Sequence, residues 1–153
     1  MTSQLGETVR AALIEELELF HTQLKETTDL VSEEHFWLKP IEPGNSLGHL
    51  VLHLVGNLNF FVGAHLGKTG YVRDREREFG ETNVPSKDEA MHQLDETITM
   101  FREVVSQLSE EELIADHPEE RLGSVTKALV HLVAHFALHR GQMSYIQRIL
   151  ASK

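Results

Sequence analysis

Ten histidines stand in this 153-residue chain, and five of them fall in two short segments at four-residue steps: His49 and His53 in one, His131, His135 and His139 in the other. Residues four apart on an α-helix differ by about 40° around the axis and one turn along it, so their imidazoles can converge on one ion. At about 100° per residue, His135 and His139 share the arc of Ala128, Leu132, Met143 and Ile146 and should face the interior. His131 lies further round. His53 borders the apolar stripe of its own segment with Asn57 closer still, whereas His49 turns toward the flank of Gly56 and Gly63. Three neutral imidazoles from two helices form a ligand set for zinc, nickel, iron or copper. Three protein ligands also leave a position open for water or substrate, as catalytic sites do. Interior histidines have a plainer explanation as hydrogen-bonded core residues, but each would need its own polar partner.

Other chemistries are poorly represented. The chain has no cysteine, which removes disulfides, thiolate metal sites and cysteine nucleophiles. It has no G-x-S-x-G elbow, no phosphate-cradling glycine loop and no dinucleotide fingerprint. The H-x-x-x-H pair of His135 and His139 lacks the glutamate of a zincin.

Four amphipathic segments must position these histidines. The first carries Val9, Leu13, Leu17, Phe20 and Leu24. The second starts at Asn45-Ser46, good N-cap residues, and runs to about Leu66 with Leu47, Leu50, Leu54, Leu58 and Phe61 as its stripe. The third opens on the capping box Ser86-Lys87-Asp88-Glu89 and buries Leu94, Ile98, Phe101, Val105 and Leu108. The fourth starts near Ser124 and runs to the C-terminus. Ser32 to His35 and Ser109 to Glu112 each suit one extra turn. The link from Gly67 to Pro85 is long enough to cross a bundle end to end, so the second and third segments run parallel. The expected fold is all-α, an up-down-down-up four-helix bundle with a long crossover between helices 2 and 3, forming one domain over residues 1–153. Gly56, Gly63 and Gly141 suggest a close approach of helices 2 and 4.

A formal charge of −10, from 24 acidic and 14 basic residues, argues against nucleic acid, which needs clustered Lys and Arg. Histidine, glycine or asparagine interrupts each apolar-rich stretch, so no membrane span is expected, and with no signal-like N-terminus a cytoplasmic location follows. Phe60, Val62, Ala64 and Tyr71 lie outside the apolar stripe and require cover. A homodimer on helix faces is expected to supply it; the long connections are the alternative.

Ser46-Leu47-Gly48 leading to His53, together with His135 to Gln142, resembles the DinB superfamily of metal-binding four-helix bundles. Residues 52–57 and Arg73 to Phe79 are similar to a DinB-like subfamily of unknown function. The likeness covers nearly the whole chain, most specifically residues 46–79 and 131–148. It implies one divalent ion (Zn, Ni, Fe or Mn) on His53, His135 and His139, the same three that the arc selects. It departs from the common pattern at Gly48 and His49, where relatives carry a tryptophan, and at the additional His131. His49 and His131 are therefore candidates for a supporting or alternative ligand. Asn57 and Gln142 are candidates to face the same cavity, and Arg73 or Arg75 to bind an acidic substrate beside the metal. Some DinB-like relatives are thiol-dependent S-transferases, in which the metal holds the thiolate of a low-molecular-weight thiol. The resemblance thus implies a metal-dependent thiol S-transferase or hydrolase acting on a small molecule, with a non-catalytic metal or small-ligand binding bundle as the alternative.

Overall fold

The computed structural model describes residues 3–80 and 83–153. Its long helices are α1 (Gln4–Asp29), α3 (Leu47–Leu58), α5 (Lys87–Gln107) and α7 (Val125–Ala151). Short helices α2 (Glu33–Phe36), α4 (Arg75–Gly80) and α6 (Glu110–Ile114) lie in the connections, with a 3₁₀ turn at Glu120–Leu122. Local chemistry sets most of the starts. The hydroxyls of Ser3, Ser32, Ser46, Ser86, Ser109 and Ser124 each accept a backbone N–H of the first turn. Ser86–Glu89 and Ser109–Glu112 complete reciprocal capping boxes.

Cross-helix contacts give the directions. Along α1, Arg10 donates to the Leu108 carbonyl (2.9 Å), Glu18 pairs with Arg102, and His21 meets Asp95 (2.8 Å). One number rises while the other falls, so α1 and α5 are antiparallel. Asn59 donates to Thr97 (2.9 Å), Gly63 faces Met100 and Gly67 faces Val104, so α3 and α5 run parallel. His53 meets His135 and His139, while Asn57 and Phe61 face His131 and Leu132, so α7 is antiparallel to α3. The result is the up-down-down-up four-helix bundle.

Two features depart from the amphipathic reading. Every residue of α3 is buried, not one arc of it, because the crossover folds back as α4 and packs over its outer side. Phe60, Ala64 and Tyr71 are thereby half-buried and Val62 fully buried, so the chain itself covers the four residues from which a dimer was argued. Exposed apolar side chains stand instead on α7, at Val130, Leu138 and Tyr145. The stretch Leu47–Ala64 is long and apolar enough to cross a membrane, yet it lies buried in the bundle as a core helix does.

The second feature is a π-helical turn at Asn59–Ala64, which continues α3 with one extra residue per turn. Its Phe61 carbonyl accepts the Nε2–H of His117 (2.9 Å), whose Nδ1 accepts the Glu119 N–H (2.9 Å). His117 is only 2% exposed although it lies in a loop, and it acts as a polar strut under the π turn.

Candidate metal centre

Two helices bring the three histidines together. Nε2 of His53 on α3 lies 3.1 Å from Nε2 of His135 on α7, which lies 3.1 Å from Nε2 of His139 one turn further. His53 is buried and the other two are half-buried. Among the described residues no fourth histidine or carboxylate joins the group.

The outer nitrogens decide what the inner ones present. His53 Nδ1 lies 2.9 Å from Glu78 Oε1, an acceptor only, so Nδ1 carries the proton and Nε2 a lone pair. His139 Nδ1 lies 2.7 Å from Gln142 Oε1, which imposes the same tautomer. His135 is held neutral: burial, reinforced by the neighbouring His139 and His53, depresses its pKa to about 3. Burial also lowers His139, against the opposing bond from Gln142. One neutral His135 has a single N–H and can satisfy only one of the two lone pairs that face its Nε2. Three Nε2 atoms turned inward are therefore poorly satisfied by one another, and a cation satisfies all three. The residues fit a divalent ion, and His53, His135 and His139 form a group able to hold one.

Glu78 was not recognisable in the sequence as part of this site. It lies on α4 inside the alternating run Arg73 to Glu78, which reads as a solvated loop, yet it is 4% exposed. Arg73 binds it through a fork, Nε to Oε2 and Nη2 to Oε1, both 2.9 Å. Burial alone would raise the Glu78 pKa, but the Arg73 and His53 hydrogen bonds outweigh it and hold the carboxyl below its ordinary value. The carboxylate rests against the backbone of Gly56, where any Cβ would overlap it. Gly56 thus serves a crossover carboxylate, not a close approach of helices 2 and 4, and a Cβ on Gly141 would meet nothing within 4 Å. An imidazole whose far nitrogen is held by a carboxylate is the usual support of a histidine ligand.

The remaining candidates separate. Gln142 supports His139. His49 is buried away from the triad, its Nδ1 2.6 Å from Ser46 Oγ and its ring edge-on to Trp37. His131 is outside the ligand group but lines a cavity of about 190 Å³ whose walls include His53 and His135. Asn57 also lines it, 7% exposed and with no partner for Oδ1. Arg75 stands exposed at its edge, beside Arg121, which the sequence reading overlooked. Arg73 is engaged by Glu78 and is not free for a substrate carboxylate. On the same seam, a larger apolar groove of about 780 Å³ runs under Pro40 to Asn45 and reaches Gln142.

Fold and site together define a four-helix bundle with a histidine triad able to hold a metal ion. More narrowly, residues 4–153 match the family described as protein of unknown function (DUF1572), and the chain belongs to that family. Among curated proteins none matches. Two solved structures share the fold. A conserved protein from Enterococcus faecalis is 18% identical with a TM-score of 0.75, covering 94% of this chain and 97% of its own. YfiT from Bacillus subtilis, described as a probable metal-dependent hydrolase with an unusual four-helix bundle topology, is 16% identical with a TM-score of 0.73, covering 93% and 87%.

Proposed function

We propose that this protein is a metal-dependent enzyme of the cytoplasm that hydrolyses a small molecule at the His53–His135–His139 centre. The observation that carries the reading is a three-nitrogen ligand set without a fourth protein ligand among the described residues, bordering a cavity. The description of YfiT supports hydrolysis as the reaction class. A divalent ion there supplies Lewis acidity, polarising a carbonyl or phosphoryl oxygen or lowering the pKa of a bound thiol or water. Glu78 and Gln142 hold His53 and His139 in the tautomer that offers Nε2 to the ion. Asn57 Oδ1 accepts a hydrogen bond from the substrate, and His131 carries a proton to or from it.

Transfer of a low-molecular-weight thiol is the second reading. The apolar groove that shares Gln142 with the triad favours it, since it would give a second substrate its own place. Protein purified without a polyhistidine tag and incubated with Zn, Ni, Mn or Fe salts should retain one ion per chain by elemental analysis. Retention at trace level only would overturn the metal reading. Loaded protein is then assayed on small esters and amides, and on an activated aryl halide with a thiol. Turnover that His135→Ala abolishes in the first set supports hydrolysis, and in the second set transfer. A loaded protein inert in both is a binding bundle.

A further inference from the structure

Three of the chain's basic residues, Arg73, Arg75 and Arg121, line the 190 Å³ cavity beside the triad, with His131 on the same wall. Among the described residues no carboxylate lines it. This is unexpected in a protein of formal charge −10, whose basic residues are otherwise scattered among acids. The arginines differ in what they have left to give. Arg73 is committed to Glu78 by its fork. Arg121 touches Glu119 through Nε (3.2 Å) and lies 5.5 Å from the Phe61 ring centroid, leaving its remaining N–H groups unengaged by that pair. Arg75 has no ion-pair or hydrogen-bond partner among the described residues and stands exposed on α4.

Behind this rim sits a second, independent feature. Asn57 is 7% exposed and its Oδ1 has no partner, although a buried polar atom is costly to leave unpaired. An acceptor oxygen at the base of a cationic cavity does not complement a bare anion. It complements a molecule that carries a donor beside its anionic group.

We propose that Arg75, Arg121 and Asn57 form the substrate-recognition subsite of the centre, selecting a small oxyanion, carboxylate or phosphate, that also bears a hydroxyl, amine or amide N–H donor. The arginine forks bind the oxyanion at the mouth, and Asn57 Oδ1 accepts the donor at the base. The cavity is smaller than the roughly 300–1,000 Å³ typical of drug-sized ligands, so it admits a compact group and not a nucleotide. As a substrate subsite it rests on the enzyme reading above, but the binding itself is a property of these three residues.

Calorimetric titration of the zinc-loaded and chelator-stripped protein with lactate, acetate and inorganic phosphate tests it. Lactate should bind saturably in both forms, and acetate, which lacks the hydroxyl, more weakly. The comparison with phosphate decides which oxyanion the rim prefers. Arg75→Gln/Arg121→Gln should weaken lactate and phosphate binding at least about tenfold, as removal of charge-assisted hydrogen bonds does. Zinc affinity should stay within about twofold of the parent, since neither arginine touches a ligand histidine. Asn57→Leu should erase the preference for lactate over acetate. Helical circular dichroism verifies that each variant is folded. No saturable oxyanion binding by the parent, or equal binding by the double-arginine variant, overturns the subsite. A parent that binds lactate through these arginines but takes up no metal overturns the enzyme reading and leaves the subsite standing.

Discussion

Glu78→Gln isolates the carboxylate that holds His53. The substitution keeps the size of the side chain and removes its charge, so what changes is the hydrogen-bond pattern. Glu78 accepts from His53 Nδ1 at 2.9 Å and from two nitrogens of Arg73, also at 2.9 Å. Oε1 takes both the His53 Nδ1–H and an Arg73 Nη2–H while Oε2 takes the Arg73 Nε–H, and an amide can accept at only one of those two positions. If its oxygen stays on Arg73, its NH₂ faces His53 Nδ1, which must become the acceptor, and the proton moves to Nε2, where the lone pair for the metal is needed. If its oxygen faces His53 from the Oε1 position, it keeps His53 Nδ1 and Arg73 Nη2 as a neutral, weaker acceptor, and its NH₂ opposes the Arg73 Nε–H. Loss of such a supporting partner costs about 10–100-fold in metal affinity, or roughly 1.4–2.7 kcal/mol. Arg73, 9% exposed, would also lose its counter-charge, a penalty of up to about 3–5 kcal/mol in stability when a buried pair is broken on one side. Competition with a chromophoric chelator at pH 7.5 measures the first effect and urea unfolding the second. Zinc affinity within about twofold of the parent, in a folded Glu78→Gln variant, would refute the assignment of the Nε2 lone pair to this carboxylate. Arg73→Gln should weaken zinc less than Glu78→Gln does, because it leaves the His53–Glu78 bond in place.

The other predictions are shorter. Because the folded pKa of His135 lies near 3, below its ordinary 6.5, the unfolded chain binds a proton between those values that the fold refuses. Stability of the metal-free protein is therefore complete above pH 6.5 and falls as pH drops toward 3, by on the order of 4–5 kcal/mol at most. Depression of the Glu78 pKa adds to the fall at its acid end. His135→Asn should flatten a plot of Tm against pH from 7 to 4, and an unchanged slope would count against the burial argument. His117→Ala should cost about 1–3 kcal/mol in urea unfolding, since it strands the Phe61 carbonyl of the π turn; a cost below about 0.5 kcal/mol would show that the strut is dispensable. Light scattering at micromolar concentration should give twice the 17.4 kDa chain mass, with Leu138→Glu/Tyr145→Glu returning it to monomer. A monomeric parent rejects self-association through α7.

What could be read in the sequence, and what could not, divides along the range of the interactions involved. Helix starts are local: a serine hydroxyl and the N–H three residues on suffice, so Ser46, Ser86 and Ser124 were legible. The triad is an angular calculation on two helices, and it required only that α3 and α7 pack together. Phe60 and Val62, on the π turn that follows Leu58, did need cover outside the stripe, and the long connection named as the alternative supplies it, a contact between distant segments that no local pattern marks. Glu78 depends on something longer still. Its run of alternating charge has no period that marks one carboxylate as buried, and the cleft it fills exists only because a residue 22 positions earlier has no side chain. Gly56 looked like a helix–helix contact because that is the commoner use of a glycine in a buried helix. The two residues explain each other and neither explains itself. Gly56→Ala puts the pair to a test of opposite signs: helix propensity alone would favour alanine by about 1 kcal/mol, whereas the new Cβ would displace the Glu78 carboxylate from His53. If the crossover carboxylate governs the centre, the variant loses zinc affinity although its helix improves. If it gains stability and keeps its affinity, Glu78 is not seated where the site needs it.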